Sequence, residues 1–360
     1  MSETGITTNK RIRPDTLKNF CVQAMRRRGL SEPDARVAAE VLVTTDQMGV
    51  HSHGVVSLRR YLQRIEKGGL LAQAPIQVLQ EGPGWVCLDG KGVMGMISCY
   101  RAMERAIEKA RSAGIGYAVL RNGSHCGALG YYASMAMKQD MFGLAMSGCT
   151  PIMAVPGGKG PIMGNSPLAY AVPAGQEKPI LLDMALSKVA AGKIVAAHKM
   201  GKDIPDDWYV DADGLPTTNS GLYPHIGAML PMAGHKGYGL ALMVDILTSL
   251  LSGGGMLRQV RPWLLGDPSI PENLSQSMIA IDINAMIPID LFKERMDTLI
   301  REIKNAPKAK GSDRIYLPGE MEWEKLEYNR KHGILLPEDV MMNLKGMAED
   351  VGLPIDEWLV

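Results

Sequence analysis

Phenylalanine and cysteine are scarce, with three and five copies in 360 residues. Cys21, Cys87, Cys99, Cys126 and Cys149 are odd in number, scattered and never spaced as Cys-x-x-Cys, which argues against a disulfide framework and a zinc site. Long apolar runs are missing too: none reaches the roughly 18 residues a transmembrane helix needs. The start, Met1 to Arg13, lacks the apolar stretch of a signal peptide, so the expected compartment is the cytoplasm. Net charge is almost absent at +1, leaving no electrostatic footprint for nucleic acid or an anionic membrane. Repeats and low-complexity segments are lacking as well. Methionine is plentiful at 25 copies and offers adaptable packing. The 40 glycines matter more, because they cluster between short apolar runs, as in an α/β protein with functional turns.

Residues 14–67 read as three helices. Leu17, Phe20, Cys21, Ala24 and Met25 share one face. Ser31 with Asp34 forms the start of a second helix that buries Ala38, Val41, Leu42 and Thr45, and Leu58, Tyr61, Leu62 and Ile65 mark a third before Gly68-Gly69. The texture then changes to alternating strands and helices. Strands are expected at 76–79, 85–88, 115–120, 142–147, 168–172, 179–182 and 277–283, and helices around 102–110, 131–136, 188–198 and 242–250. Residues 199–228 read mostly as loop, and helices at 290–305, 320–332 and 337–351 close the chain. The pattern divides into a mostly helical unit made from the chain ends, 1–75 with 305–360, and a central α/β unit, 76–304.

Chemistry concentrates in a few turns. Gly49 to Gly54 sets His51, Ser52 and His53 between glycines, and imidazole is the usual first candidate for general acid or base near neutral pH. His-x-His with a later aspartate also suits a zinc hydrolase, although no further tight ligand cluster follows. His125 lies beyond the end of a strand, where open α/β sheets gather ligands. Gly90, Gly92 and Gly95 spell a dinucleotide fingerprint, but the strand that should end in an acid ends in Arg121-Asn122. Asp183 enters a turn where it could cap, orient a histidine or meet a cofactor hydroxyl. Lys236, at a helix entrance, suits phosphate.

These motifs, in this order over nearly the whole chain, resemble the malate/L-lactate dehydrogenases of the second type. The residues that carry the likeness are 51–54, Tyr61 with Arg64-Ile65 and Gly68-Gly69, 121–127, 156–158, 164–167, 183–185, 234–239 and 317–320. The resemblance implies a non-Rossmann nicotinamide-binding fold with a mixed central sheet flanked by helices and a second, mostly helical domain. It also implies hydride transfer between NAD or NADP and a 2-hydroxy or 2-oxo acid, or in some relatives a cyclic imine, in a homodimer. The glycine fingerprint at Gly90 is then a decoy. Carried over residue by residue, His53 and His125 are the proton-transfer candidates, and Ser52 and Asp183 match partners that relay protons to His53 or orient it. Cys149, Asp183, Met184, Ala185, Lys236, Gly237, Gly319, Glu320 and Met321 fall where relatives contact the dinucleotide. Many relatives carry a carboxylate-binding arginine four residues past the second histidine, where this chain has Ser57. Arg59 or Arg60, with Tyr61, is the expected substitute, and the substrate is expected to differ from plain malate or lactate.

Overall fold

The computed structural model describes residues 11–355 and 358; the polar start through residue 10, and positions 356, 357, 359 and 360 of the expected helical unit, lie outside them. Helix α1 (Pro14–Arg27) opens on a proline, whose fixed φ suits a first turn, and buries Leu17, Phe20, Cys21, Ala24 and Met25. Ser31 begins α2 (Glu32–Gln47): its hydroxyl accepts from the Asp34 N–H at 3.3 Å and donates to the Asp34 carboxylate at 2.7 Å. Two short 3₁₀ turns, His51–His53 and Val55–Ser57, lead into α3 (Leu58–Lys67), which Gly68 ends in the left-handed region at φ +88°.

The sheet is mixed. Its strands are β1 (Gln77–Gly82), β2 (Trp85–Asp89), β3 (Ile115–Gly123), β4 (Met141–Ser147), β5 (Leu168–Val172) and β6 (Ile180–Met184). Between them come helices α4 (Gly95–Ala113), α5 (Gly130–Met137) and α6 (Ala191–Lys199), then the two-residue strands β7 (Tyr209–Val210) and β8 (Ala228–Met229). Helix α7 (His235–Asp245) runs on through a π-helical turn, Ile246–Leu250, before β9 (Leu274–Asp282) and helices α8 (Ile289–Lys304), α9 (Glu320–His332) and α10 (Glu338–Val351).

Strand order is β1-β2-β3-β9-β4-β5-β6. Only β2 and β3 pair in parallel; every other neighbouring pair of this sheet is antiparallel. The last strand, β9, therefore sits in the middle, and β2, β3, β4 and β6 all point the same way. Their carboxyl ends share one rim. Helices α4 and α5 cover one face of the sheet, while α7 and the π turn cover the other around a methionine-rich cluster of Met146, Met153 and Met163. A single hydrophobic cluster joins α1, α2, α3 and α10 to α4, α5 and the strands, and Ile12 pairs with Ile334 to bring the two chain ends together.

Some boundaries depart from the sequence pattern. The stretch 199–228, expected as loop, contributes β7 and the start of the β7–β8 pairing, and the helix expected from 188 begins at Ala191 because Ser187 and Lys188 still bridge to the 230–231 segment. The fingerprint glycines are used in packing. Gly90 and Gly92 donate their N–H groups to the Arg121 and Asn122 carbonyls, and a Cβ on Gly95 would collide with the carbonyls of Ser124 and His125. Asp89 takes up Asn122 Nδ2 at 2.9 Å and faces Arg121 Nε at 3.4 Å, so that arginine is engaged within the sheet. These glycines bring α4 close beneath the segment that carries His125.

Candidate active site

The turn between α2 and α3 is held from beneath by Asp46, fully buried in the last turns of α2. Its carboxylate takes His51 Nδ1 at 2.7 Å and the Val55 N–H at 2.7 Å. Burial raises its proton affinity, opposed by those two partners. Gly54 is required here, since a Cβ would run into that carboxylate. His51 is thereby turned away from His53, whose Nδ1 meets Ser52 Oγ at 2.9 Å. His51 is engaged by Asp46, and among the described residues no group of three His, Cys, Asp or Glu side chains is placed to hold a metal ion.

His53 instead faces His125, delivered from just beyond β3. Their ring centroids are 5.9 Å apart with planes inclined by 25°. His125 is fixed on three sides. Tyr61 Oη lies 2.5 Å from its Nδ1, its main-chain N–H donates to Glu272 Oε2 at 2.9 Å, and Trp263 stacks on it at 4.6 Å with only 7° between the planes. Nε2 is the ring nitrogen left for a ligand. Burial, and then the neighbouring His53, push the His125 pKa from 6.5 down to about 3, and burial also lowers that of His53. Both rings are neutral near pH 7.

Tyr61 was expected to touch substrate; it is fully buried behind His125 and orients that ring. Arg59 and Arg60 were expected there too, and the helix turns them elsewhere. Arg59 clasps the Asp350 carboxylate of α10 through Nε at 2.7 Å and Nη2 at 3.1 Å, while Arg60 donates to the carbonyls of Trp263 and Gly266. Arg64, one turn on and wholly buried, donates to the Ile270 carbonyl at 2.5 Å and faces Glu272 across 3.2 Å at an angle poor for a hydrogen bond. Burial dominates both partners, lowering the arginine's pKa and raising the Glu272 carboxyl to about 7. Ser57 is buried and neutral.

Asp183 was expected to orient His53. Its Oδ2 accepts from the Gly130 N–H at 2.7 Å at the start of α5, and it has no hydrogen bond to His53 among the described residues. Burial lifts its pKa to about 6 against that N–H. The remaining expected residues distribute along the rim. His125 lies beyond β3, Cys149 just past β4, and Asp183, Met184 and Ala185 at the end of β6. Four strand spacings separate β3 from β6, roughly 19 Å at about 4.8 Å each, which suits an elongated ligand. Gly319, at φ +87°, presses against Leu181 of β6, and Met321 is exposed. Glu320 has its carboxylate committed to Lys304, Arg314 and the Leu317 N–H, and its own N–H donates to the Leu317 carbonyl at 3.1 Å. Lys236 stands exposed in the first turn of α7, whose start has no side-chain cap, beside Gly237. A cleft of about 490 Å³ opens there between Gly157, Gly158, Lys188 and Gly234. A helix start without a side-chain cap favours an anion.

Trp263, Glu272 and Asp46 went unnoticed in the sequence, and Arg64 was named there without a role. The available signal for the first two was the segment 253–273, which opens on three glycines, contains three prolines, and is too long for an ordinary connection.

A neutral imidazole pair at the carboxyl rim of a mixed α/β sheet can move a proton at an alcohol or carbonyl. The sequence matches the malate/L-lactate dehydrogenase family over residues 12–345, and the chain belongs to that family. It is 39% identical to a malate dehydrogenase of Pyrococcus horikoshii over 95% of this chain and 96% of the relative. It is 32% identical to the NAD(+)-dependent ureidoglycolate dehydrogenase of Escherichia coli, covering 93% of this chain and 95% of that one. The solved sulfolactate dehydrogenase of Methanocaldococcus jannaschii superposes with a TM-score of 0.90 at 33% identity, over 97% of this chain and 99% of the other. The protein is a nicotinamide-dependent oxidoreductase acting on the CH–OH of a 2-hydroxy acid.

Proposed function

We propose that His125 is the group that takes the proton of the substrate alcohol and returns it to the carbonyl in reduction, with His53 and Ser52 exchanging that proton with solvent. The observation that carries this reading is the ring pair itself: His125 has Nδ1 held by Tyr61 and Nε2 open, and His53 stacks beside it with an exposed edge. When bound, the nicotinamide ring of NAD or NADP supplies the hydride acceptor and gives up one positive charge in doing so. His125 gains one on taking the proton, so the buried site keeps its net charge across the step. A ring held neutral by burial is suited to that exchange.

The cofactor reading is supported by Lys236, Gly237 and the open start of α7 at one part of the rim, with Cys149 and 183–185 along it. A homodimer is supported by an exposed apolar stripe, Leu240, Met243, Ile246 and Leu250, at helical spacing on α7 and its π extension. Placement in the cytoplasm rests on five free cysteines and on the absence, among the described residues, of a helix long and apolar enough to cross a membrane. The test is the absorbance of NADH and of NADPH against a panel of 2-oxo acids and one cyclic imino acid. Wild type consumes one cofactor; His125→Asn loses at least about a hundredfold in kcat, in the range for a proton-transfer group, and His53→Ala loses less. Equal activity of wild type and His125→Asn overturns the assignment.

A further inference from the structure

Two observations at the histidine pair fix the character of the substrate's side chain. The first is charge. Every guanidinium of α3 is committed: Arg59 to Asp350, Arg60 to the carbonyls of Trp263 and Gly266, and Arg64 to Glu272 and the Ile270 carbonyl. The preceding turn offers only the neutral Ser57, and both imidazoles are themselves neutral. The guanidinium groups of α3 are thus each drawn into contacts within the protein, and a second carboxylate on a substrate held at His125 Nε2 would have to compete with those contacts.

The second observation is shape. The Trp263 indole lies flat on His125 at 4.6 Å and packs against the Tyr61 ring at 4.4 Å, with the Arg64 guanidinium 5.9 Å from its centre. Arg60 and Arg64 grip its loop through main-chain carbonyls at 263, 266, 267 and 270, so the indole is held in place before any ligand arrives. Leu264 and Leu265 follow it, both about two-thirds exposed. His125 stacks with Trp263 at 4.6 Å and with His53 at 5.9 Å, so a group hydrogen-bonded to its Nε2 lies close to the indole.

We propose that Trp263 is a specificity-determining residue: its indole is a preformed wall for the substrate's side chain, and the enzyme selects 2-hydroxy and 2-oxo acids whose side chain is apolar over those with a second carboxylate. The inference rests on the dehydrogenase reading above and names the substrate class of that same site.

The test compares two 2-oxo acids of similar length, 2-oxopentanoate and oxaloacetate, by kcat/KM with the preferred reduced cofactor, in wild type, Trp263→Ala and Trp263→Phe. Wild type prefers 2-oxopentanoate by at least about tenfold, within what apolar pockets achieve. In Trp263→Ala that preference collapses, through a rise in KM for 2-oxopentanoate with little change for oxaloacetate, and Trp263→Phe recovers most of it. Melting temperatures with and without cofactor, taken on all three proteins, show that each is folded. A wild-type preference for oxaloacetate overturns the proposal, as does an equal loss on both acids in a folded Trp263→Ala. Absence of turnover with either acid, in a protein whose melting temperature rises with cofactor, overturns the substrate class alone. Absence of both turnover and thermal shift overturns the dehydrogenase reading, and this inference with it.

Discussion

Lowering the pH from 7.5 to 5.0 should weaken the fold through His125 in a way that one substitution isolates. Its pKa is about 3 in the fold and 6.5 ordinarily, so between those values the unfolded chain binds a proton that the native ring refuses. Stability from this group is complete above 6.5 and is lost as pH falls toward 3. At pH 5.0 the unfolded ring is 1.5 units below its own pKa and the native ring 2 units above its own, a loss of about 2 kcal/mol. Screening at the partly exposed edge of the ring brings this to between about 1 and 2 kcal/mol. The assay is urea unfolding of wild type and His125→Asn at both pH values. Asparagine keeps an amide N–H near the Nδ1 position to donate to the Tyr61 Oη, as the ring must when Nε2 is the base, but does not titrate. The wild type should lose about 1–2 kcal/mol more than the variant over this interval. Equal losses would show that His125 is not buried as a neutral ring, and the argument for it as a proton acceptor would fall with that.

Other perturbations separate placement from chemistry. Tyr61→Phe leaves His125 Nδ1 without its partner; unfolding should show a loss of about 1–3 kcal/mol, and steady-state kinetics a fall in kcat larger than any change in KM. Gly95→Ala forces a Cβ into the Ser124 and His125 carbonyls, and should lower both stability, by about 2 kcal/mol, and turnover, read by unfolding and by the cofactor assay. Arg59→Ala removes an ion pair near the surface with Asp350; stability should fall by less than about 1 kcal/mol and kcat/KM should stay unchanged. A tenfold drop in kcat/KM would return Arg59 to the substrate.

Periodicity carried most of the fold. The apolar spacing in 14–67 marks the faces that α1, α2 and α3 bury, and the glycine ends of those helices are equally plain. What spacing could not show is pairing. Strand β9 reads as one more buried strand near the end of the chain, yet it enters between β3 and β4, because long-range register is set by tertiary packing rather than by local pattern. The same limit applies to the site. His53 and His125 were visible as exposed residue types in glycine turns, whereas Trp263 and Glu272 lie in a segment with no period to read. Arg59 misled for a related reason. A guanidinium near the histidine turn is chemically apt for a carboxylate, but the helix points it toward α10, and Asp350 is 291 residues away in sequence.

Helix α3 shows how the parts cooperate. Arg60, Tyr61 and Arg64 fall at i, i+1 and i+4, on adjoining parts of one helical surface, and all three act on the same neighbourhood. Arg60 and Arg64 take loop carbonyls from 263 to 270, and Tyr61 takes His125. Glu272, at the end of that loop, faces Arg64 and holds the His125 main chain. A helix with three arginines thus delivers geometry to the site: its guanidinium groups are drawn into hydrogen bonds with carbonyls and contacts with carboxylates of the protein itself. The same commitments fix the indole over the imidazole, so loosening the loop at Arg60 or Arg64 would disturb the proton acceptor and the side-chain wall together, whereas Trp263→Phe, which keeps a ring against His125, bears least on the acceptor.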